Sequence, residues 1–144
     1  MSQKETYRVS ATLPTTSVPL LSCGVITEQH IANGMEPVTV NAIIDTGSNR
    51  TSLSPRLIAM LGLAYSGTTT ADSTTDKDVP VDVYSGAVFV FGNIMVGPRY
   101  VHAVDLPDGE DVLIGMDVIS LGRLTVEPAD NGRYRFEFTL EAER

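Results

Sequence analysis

Short apolar runs separated by turn-forming residues recur along the chain. Runs of β-branched and apolar residues occupy positions 7–13, 20–27 and 38–44, and they are bounded by Pro, Gly and Asn. Runs of this length and composition predict β-strands. The third run alternates at first and then becomes wholly apolar, so it predicts a strand that enters the core and ends at Asp45.

The second half of the chain continues the same pattern. Strand-like composition at 68–70 and 79–83, with a polar segment between them, predicts a projecting hairpin. Further strands are predicted over 83–91, 94–96, 100–106 and 112–114, and a closing hairpin over 123–140. The Asn33-Gly34 pair predicts a loose hairpin connection over 30–37.

Helical signals are few and local. Ser54 suits an N-cap, Pro55 the first helical position and Gly62 the position after the last turn, which predicts a helix over 55–61. A second short helix is predicted after Gly115. The sequence therefore predicts an all-β fold, mainly β with one or two short helices, in a single domain over 1–144 with N-terminal strands within 6–29.

Composition and charge exclude several classes of partner. The net charge of −8 argues against binding to nucleic acid or to an anionic membrane, since both need clustered Lys and Arg. No apolar run reaches transmembrane length, and the N-terminus lacks the apolar core of a secretion signal, so a cytoplasmic location is expected. The single cysteine, Cys23, excludes an internal disulfide, and the isolated His30 and His102 have no metal-ligand spacing. No metal or other cofactor is expected.

Two stretches carry candidate chemistry. In Ile43-Ile44-Asp45-Thr46-Gly47-Ser48 an apolar run ends on a carboxylate, whose burial costs several kcal/mol unless it is hydrogen-bonded. Leu113-Ile114-Gly115 is a second apolar run that ends on a glycine. Each stretch alone is also compatible with an ordinary turn at the end of a strand. The interpretation of the two stretches as parts of one site depends on their order and on their separation of 70 positions (115 − 45).

Together these stretches resemble the motifs of the retropepsin-like aspartic proteases, in particular single-domain cellular and bacterial members. The resemblance covers residues 38 to 127. It implies a retropepsin-like closed β-barrel of the acid-protease fold, with one Asp-Thr-Gly lobe per chain, and the activity of an aspartic endopeptidase. It implies that Asp45 is catalytic, that Thr46 hydrogen-bonds across a two-fold axis, and that the Gly47 N–H supports the carboxylate.

The resemblance also places a flap between the two motifs. The flap candidates are Ala71, Asp72, Ser73, Thr74, Thr75, Asp76 and Lys77. The acidic excess of this segment, continued by Asp78 and Asp82, predicts that acidic peptides are disfavoured. The chain departs from retroviral members at Met116, where they carry Arg, and it has no Gly between Gly67 and Gly86, where they have Gly-rich flap tips.

The chemistry requires more than one copy of the first motif. Hydrolysis by paired carboxylates needs two of them, and the chain has one Asp-Thr-Gly, so a homodimer acting on a peptide or protein substrate is expected.

Ser48 can donate a hydrogen bond to Asp45. Gly115 is interpreted as a close approach behind the Asp45 turn, or as a plain strand-to-helix turn, and Asp117 as structural. The alternative function is a catalytically silent dimerisation or peptide-binding module.

Overall fold

The computed structural model describes residues 4–71 and 77–143. In these residues the strands are β1 (Lys4–Pro14), β2 (Leu20–Thr27), β3 (Val38–Ile44), β4 (Ser52–Leu53), β5 (Ala64–Ala71), β6 (Val79–Ser85), β7 (Ala87–Phe91), β8 (Ile94–Val96), β9 (Val101–Ala103), β10 (Val112–Ile114), β11 (Arg123–Ala129) and β12 (Arg133–Glu143). The α-helices are α1 (Glu28–Ala32), α2 (Pro55–Leu61) and α3 (Met116–Ile119), with a 3₁₀ turn at Pro107–Gly109.

The strands form two sheets. A nine-stranded sheet has the order β5-β6-β9-β4-β10-β3-β2-β7-β8, and a three-stranded sheet has the order β1-β12-β11. The prediction of a mainly β fold is confirmed. Within the described residues the large sheet curls into a half-barrel that ends at β5 and β8, so it is less closed than the predicted barrel.

A shared apolar core joins the two sheets. Phe89 and Phe91 of β7 and Phe136 and Phe138 of β12 are almost completely buried in one cluster. The rings of Phe91 and Phe138 meet edge to face with centroids 6.3 Å apart, which favours the pair beyond its buried area. Cys23 is buried in the same cluster, as its apolar neighbours predicted. The single domain over 1–144 stays a prediction.

The middle of the large sheet brings the two motifs together. Strand β10 pairs in parallel with β3, with Ile114 opposite Ile44, and antiparallel with β4. The backbone N–H of Asp45 continues this ladder by donating to the Ile114 carbonyl at 3.0 Å. The Asp45 turn and Gly115 therefore leave the sheet side by side, although 70 positions separate them in sequence.

Helix α2 begins and ends at the predicted residues. The Ser54 hydroxyl accepts a hydrogen bond from the Leu57 N–H at 3.1 Å, and Gly62 adopts the left-handed conformation with φ of 68°. Leu57, Ile58 and Leu61 form its buried face. Local capping signals were sufficient here because each acts within one turn of the helix.

Helix α1 corrects the expectation of one or two helices. It occupies part of the segment predicted as a loose hairpin connection, and the Thr27 hydroxyl caps it by accepting from the His30 N–H at 3.0 Å. None of its five residues is buried. The helix therefore has no apolar periodicity, which is the signal that sequence patterns rely on.

Two predicted strands were too long. The run over 83–91 is divided into β6 and β7 by Gly86, whose φ of 97° is in the left-handed region. The strand predicted over 100–106 is confined to Val101–Ala103, because a 3₁₀ turn begins at Pro107. The predicted hairpin, with strands at 68–70 and 79–83, is present as β5–β6, and the closing hairpin is present as β11–β12.

Candidate active site

Asp45 lies at the end of β3, where the chain leaves the core. Ala42, Ile43 and Ile44 are buried, and Asp45 is half-buried. Its carboxylate accepts two hydrogen bonds from its own turn, one from the Gly47 N–H to Oδ1 at 2.9 Å and one from the Ser48 hydroxyl to Oδ2 at 3.3 Å. The turn therefore holds one carboxylate at the margin of the core with both oxygens engaged.

Gly47 and Thr46 both lie next to the Asp45 carboxylate, but they differ in their contacts. A Cβ at Gly47 would lie 3.1 Å from Asp45 Oδ1, so the absence of a side chain leaves room for the bond from the Gly47 N–H. Thr46 is exposed next to Asp45. The hydrogen bond expected of Thr46 across a two-fold axis stays a prediction, since it requires a second chain.

Gly115 packs against the back of the Asp45 turn. A Cβ there would lie 2.6 Å from both C and O of Arg50 and 2.9 Å from the Ser48 carbonyl oxygen, distances that real Cβ atoms do not show. The Met116 N–H donates to the Ser48 carbonyl at 2.7 Å, and the Asp117 N–H to the Asn49 carbonyl at 3.2 Å. The second motif therefore supports the turn that carries Asp45 from behind.

Asp117 and Thr51 form a buried link between the two motifs. The fully buried Thr51 hydroxyl donates to Asp117 Oδ1 at 2.7 Å, and the Thr51 N–H donates to Oδ2 at 3.1 Å. The Thr51 hydroxyl also accepts from the Gly115 N–H at 3.1 Å. This is a structural arrangement, as interpreted for Asp117. The sequence offered no signal for Thr51, because its partners lie more than 60 positions away.

A cavity of about 710 Å³ lies beside the Asp45 turn and under the β5–β6 hairpin. Gly47 and Ser48, the two donors to the Asp45 carboxylate, contribute to its lining. The hairpin contributes Thr69, Thr70, Ala71, Val79 and Val81. An open cleft therefore lies between the carboxylate turn and the projecting hairpin.

The flap candidates are only partly described. Ala71 ends β5 and lines the cavity, and Lys77 is exposed just before β6 begins. The candidates Asp72, Ser73, Thr74, Thr75 and Asp76 lie outside the described residues.

The floor of the cavity is one face of the large sheet. Leu113, Ser52 and His102 lie in register across β10, β4 and β9, and all three line the cavity. Val83 of β6 is the next residue in register, and Val81, two positions earlier on the same face, also lines the cavity. Strand β4 was not predicted, because two residues carry no periodicity.

His102 lies in the cavity, a position that its isolation in the sequence did not indicate. Burial lowers the pKa of its imidazole below the usual value, and the nearby positive charge of Arg50 lowers it further, while Asp117 opposes this shift. Arg50 lines the same cavity. Among the described residues, no group of three or more His, Cys, Asp or Glu side chains is placed to hold a metal ion.

The sequence profile of the aspartyl protease family matches residues 30–118, which is more than half of the chain and includes both motifs. The chain belongs to the aspartyl protease family. A search of curated proteins gave no significant match.

A solved structure shows the fold of this member of the aspartyl protease family. The chain is similar to the crystal structure of a retropepsin-like aspartic protease from Rickettsia conorii, with 14% identity, a TM-score of 0.60, and coverage of 100% of this chain and 98% of that chain. The fold is therefore retropepsin-like.

Two further structures are less similar. The retroviral protease-like domain of Ddi1 from Leishmania major has 14% identity and a TM-score of 0.46, covering 83% of this chain and 95% of that chain. EIAV protease complexed with the inhibitor HBY-793 has 13% identity and a TM-score of 0.46, covering 74% of this chain and 88% of that chain.

None of the helices in the described part of the chain is long and apolar enough to cross a bilayer.

Proposed function

We propose that the chain is an aspartic endopeptidase that acts as a homodimer, with Asp45 as the catalytic residue of each subunit. The observation that carries the proposal is the Asp45 carboxylate, held by Gly47 and Ser48 beside the cavity under the β5–β6 hairpin. Membership of the aspartyl protease family supports the same chemistry.

The reaction needs one carboxylate and one carboxylic acid. The carboxylate takes a proton from a water molecule, whose oxygen attacks the peptide carbonyl carbon, and the carboxylic acid donates its proton as the C–N bond breaks and the amine leaves. Two neighbouring carboxyl groups share one proton because two like charges at close range do not both ionise readily. Their titration then belongs to the pair rather than to either group.

A second chain supplies the second carboxylate. The sequence contains one Asp-Thr-Gly, so an isologous dimer about a two-fold axis near Asp45 completes the pair. The surface next to the turn suits such an interface, because Val18 and Leu20 have 55% and 39% of their surface exposed. Leu20 pairs in register with Ile43, two positions before Asp45. In the dimer, Thr46 hydrogen-bonds to its counterpart across the axis.

The β5–β6 hairpin is the flap of this enzyme. Its inner face lines the cavity opposite the carboxylate turn, and the candidates between Ala71 and Lys77 lie between its two strands in the sequence. Closure over a bound peptide excludes water other than the nucleophile and strengthens the electrostatic interactions of the site.

The proposal is tested with the wild-type chain and the Asp45→Asn variant, incubated with an unfolded protein from acid to neutral pH. We expect cleavage by the wild type, inhibition by a pepstatin-type compound, and loss of cleavage by at least about a thousandfold in the variant. The matched control is Asp130→Asn, which removes the same charge from the exposed β11–β12 turn and should leave cleavage unchanged. Equal cleavage by wild type and Asp45→Asn would contradict the proposal. Absence of cleavage by the wild type would favour a catalytically silent dimerisation or peptide-binding module.

A further inference from the structure

The cavity under the β5–β6 hairpin has a basic wall. Arg50 and His102 are among its lining residues, and the other described lining residues carry neutral side chains. We propose that Arg50 and His102 form a subsite that takes an acidic side chain, Asp or Glu, of the peptide substrate. This inference rests on the proposed function, because it names the substrate class of the same cavity.

The two basic residues reach the subsite from neighbouring segments of backbone. His102 lies in β9 in register with Ser52, and its N–H donates to the Thr51 carbonyl at 3.1 Å. Arg50 directly precedes Thr51, and the backbone of Arg50 packs against Gly115. The backbone that carries each side chain is therefore held in place, and both residues line the same cavity.

Neither Asp82 nor Asp117 is among the residues that line this wall. Asp82 follows the cavity-lining Val81 in β6, so its side chain lies on the opposite face of the strand. It is exposed and accepts a hydrogen bond from the Thr68 hydroxyl at 3.1 Å. It therefore belongs to the outer face of the hairpin. The predicted repulsion of acidic peptides also rested on Asp72 and Asp76, which lie outside the described residues, and the peptide scan decides between that prediction and the subsite. Asp117 is occupied by its two hydrogen bonds from Thr51.

A guanidinium group and an imidazole suit a carboxylate in complementary ways. Arginine remains charged at all relevant pH values and binds a carboxylate through two parallel hydrogen bonds. Burial and Arg50 lower the pKa of His102, so its imidazole is mostly uncharged at neutral pH and gains a proton as the medium becomes acidic. Asp117 is the charged group that opposes this shift, and the side chains beside His102 in register, Ser52 and Val83, do not titrate.

The preference for an acidic residue therefore depends on pH. As the pH falls below the ordinary range of histidine, protonation of His102 adds a second positive charge, and a substrate Glu stays ionised above its ordinary pKa of about 4.3. Added salt weakens the preference, because it screens charges at an exposed cleft.

The test uses the full chain with Asp45→Asn, which keeps bound peptides intact. Fluorescence anisotropy measures the affinity of labelled peptides that are identical except for Glu, Gln or Lys at one position, scanned along the peptide. At one position we expect Glu to bind about tenfold more tightly than Gln, with Lys weakest. The ratio should increase from pH 7 to pH 5.

Substitutions show which side chain produces the preference for Glu over Gln. In the same background, Arg50→Gln should abolish the preference at pH 7, Arg50→Lys should retain part of it, and His102→Gln should remove only its increase toward pH 5. Arg123→Gln, which removes one positive charge from β11 of the other sheet, is the matched control and should change nothing. An unchanged ratio in Arg50→Gln, an equal loss in Arg123→Gln, or no binding of any peptide would overturn the subsite.

Failure of the subsite is distinguishable from failure of the proposed function. If the wild type cleaves peptides but Glu, Gln and Lys bind equally well, the protease stands and the subsite is wrong. If the wild type cleaves nothing while peptides with Glu bind preferentially through Arg50, the subsite stands and the chain is a peptide-binding module.

Discussion

At the scale of single residues, the space behind the Asp45 turn depends on Gly115. Its φ of −97° and ψ of −175° are accessible to any residue, so the need for glycine is steric rather than conformational. The atoms that a side chain would meet belong to the backbone of Arg50 and Ser48, which no rotamer change can move. A substitution there acts directly on the segment that holds the carboxylate.

We predict that Gly115→Ala lowers the free energy of unfolding by about 1 to 3 kcal/mol, the usual cost of overpacking, and reduces proteolytic activity by displacing the Asp45 turn. Urea unfolding at a fixed protein concentration measures the first effect, since association also changes apparent stability. Gly97→Ala is the control, because its Cβ would lie 3.9 Å from the nearest atom, the Ala87 carbonyl oxygen. Equal stability of the two variants would show that the close approach at Gly115 is relieved at no cost.

Some residues of the candidate site can be identified from the sequence around them, and others cannot. Asp45 and Gly115 end apolar runs, so both were identified from local patterns. Thr51 could not be identified, because three of its hydrogen bonds are made with Asp117 and Gly115, far away in the sequence. His102 looked isolated for the same reason, since its register with Ser52 places it in the cavity.

At the scale of elements, helix α2 is tied to the loop before β10 by Asp111. The Ser54 hydroxyl, which caps the helix, donates to Asp111 Oδ1 at 2.6 Å, and Arg56 of the first turn forms an ion pair with the same carboxylate at 2.8 Å. The hydrogen bond from Ser54 lowers the pKa of Asp111 most, and Arg56 lowers it further against the opposing effect of burial. The ionised form is therefore the one that holds the two elements together.

We predict that Asp111→Asn lowers the free energy of unfolding at pH 7 by about 1 to 2 kcal/mol, the range of a hydrogen bond to a charged group after allowance for partial exposure. Because the folded-state pKa of Asp111 lies below its unfolded value of about 3.9, its contribution is complete above pH 4 and is lost as the pH falls through the folded pKa. The difference between wild type and variant should therefore shrink below pH 4, as measured by thermal unfolding from pH 7 to pH 2.

The control for Asp111→Asn is Asp130→Asn, which removes a carboxylate from an exposed turn. Its stability should follow that of the wild type at neutral pH. A difference for Asp111→Asn that stays constant down to pH 2 would mean that the ionised carboxylate is not the stabilising form.

Sequence patterns predicted long elements better than short ones, because a longer run of residues has a more distinctive pattern. Strands β2 and β3 match the predicted bounds, since seven or eight residues of apolar composition are distinctive. Helix α1 and strand β4 were missed, the first for lack of a buried face and the second because it has two residues. Strand β4 nevertheless lies between β9 and β10 and contributes Ser52 to the cavity, so part of the cavity lining depends on an element that sequence patterns do not reveal.

At the scale of the whole molecule, the arrangement of the strands is not a local property. The order β9-β4-β10-β3 mixes parallel and antiparallel pairs between segments far apart in the chain. Composition and periodicity predicted a mainly β fold but not this order, which only the resemblance to known proteases implied. The cavity, the support behind Asp45 and the link between Thr51 and Asp117 all follow from the order.

The proposed dimer makes a prediction about mixtures of active and inactive chains. If catalysis needs Asp45 from both subunits, a dimer of one wild-type and one Asp45→Asn chain is inactive, and activity falls with the square of the wild-type fraction. An equal mixture, left until the subunits have exchanged, should retain about one quarter of the activity of the same total amount of wild type. Independent active chains would retain about one half.

Mixing wild type with Asp130→Asn under the same conditions controls for dilution and exchange, and it should leave activity unchanged at every ratio. Size-exclusion chromatography at the assay concentration should show a dimer for each protein. A linear fall in activity with the Asp45→Asn fraction after complete exchange, or full activity in a stable monomer, would contradict a site shared across a two-fold axis. The quadratic dependence is diagnostic because loss of folding in the variant alone, without association with the wild type, would give the linear result.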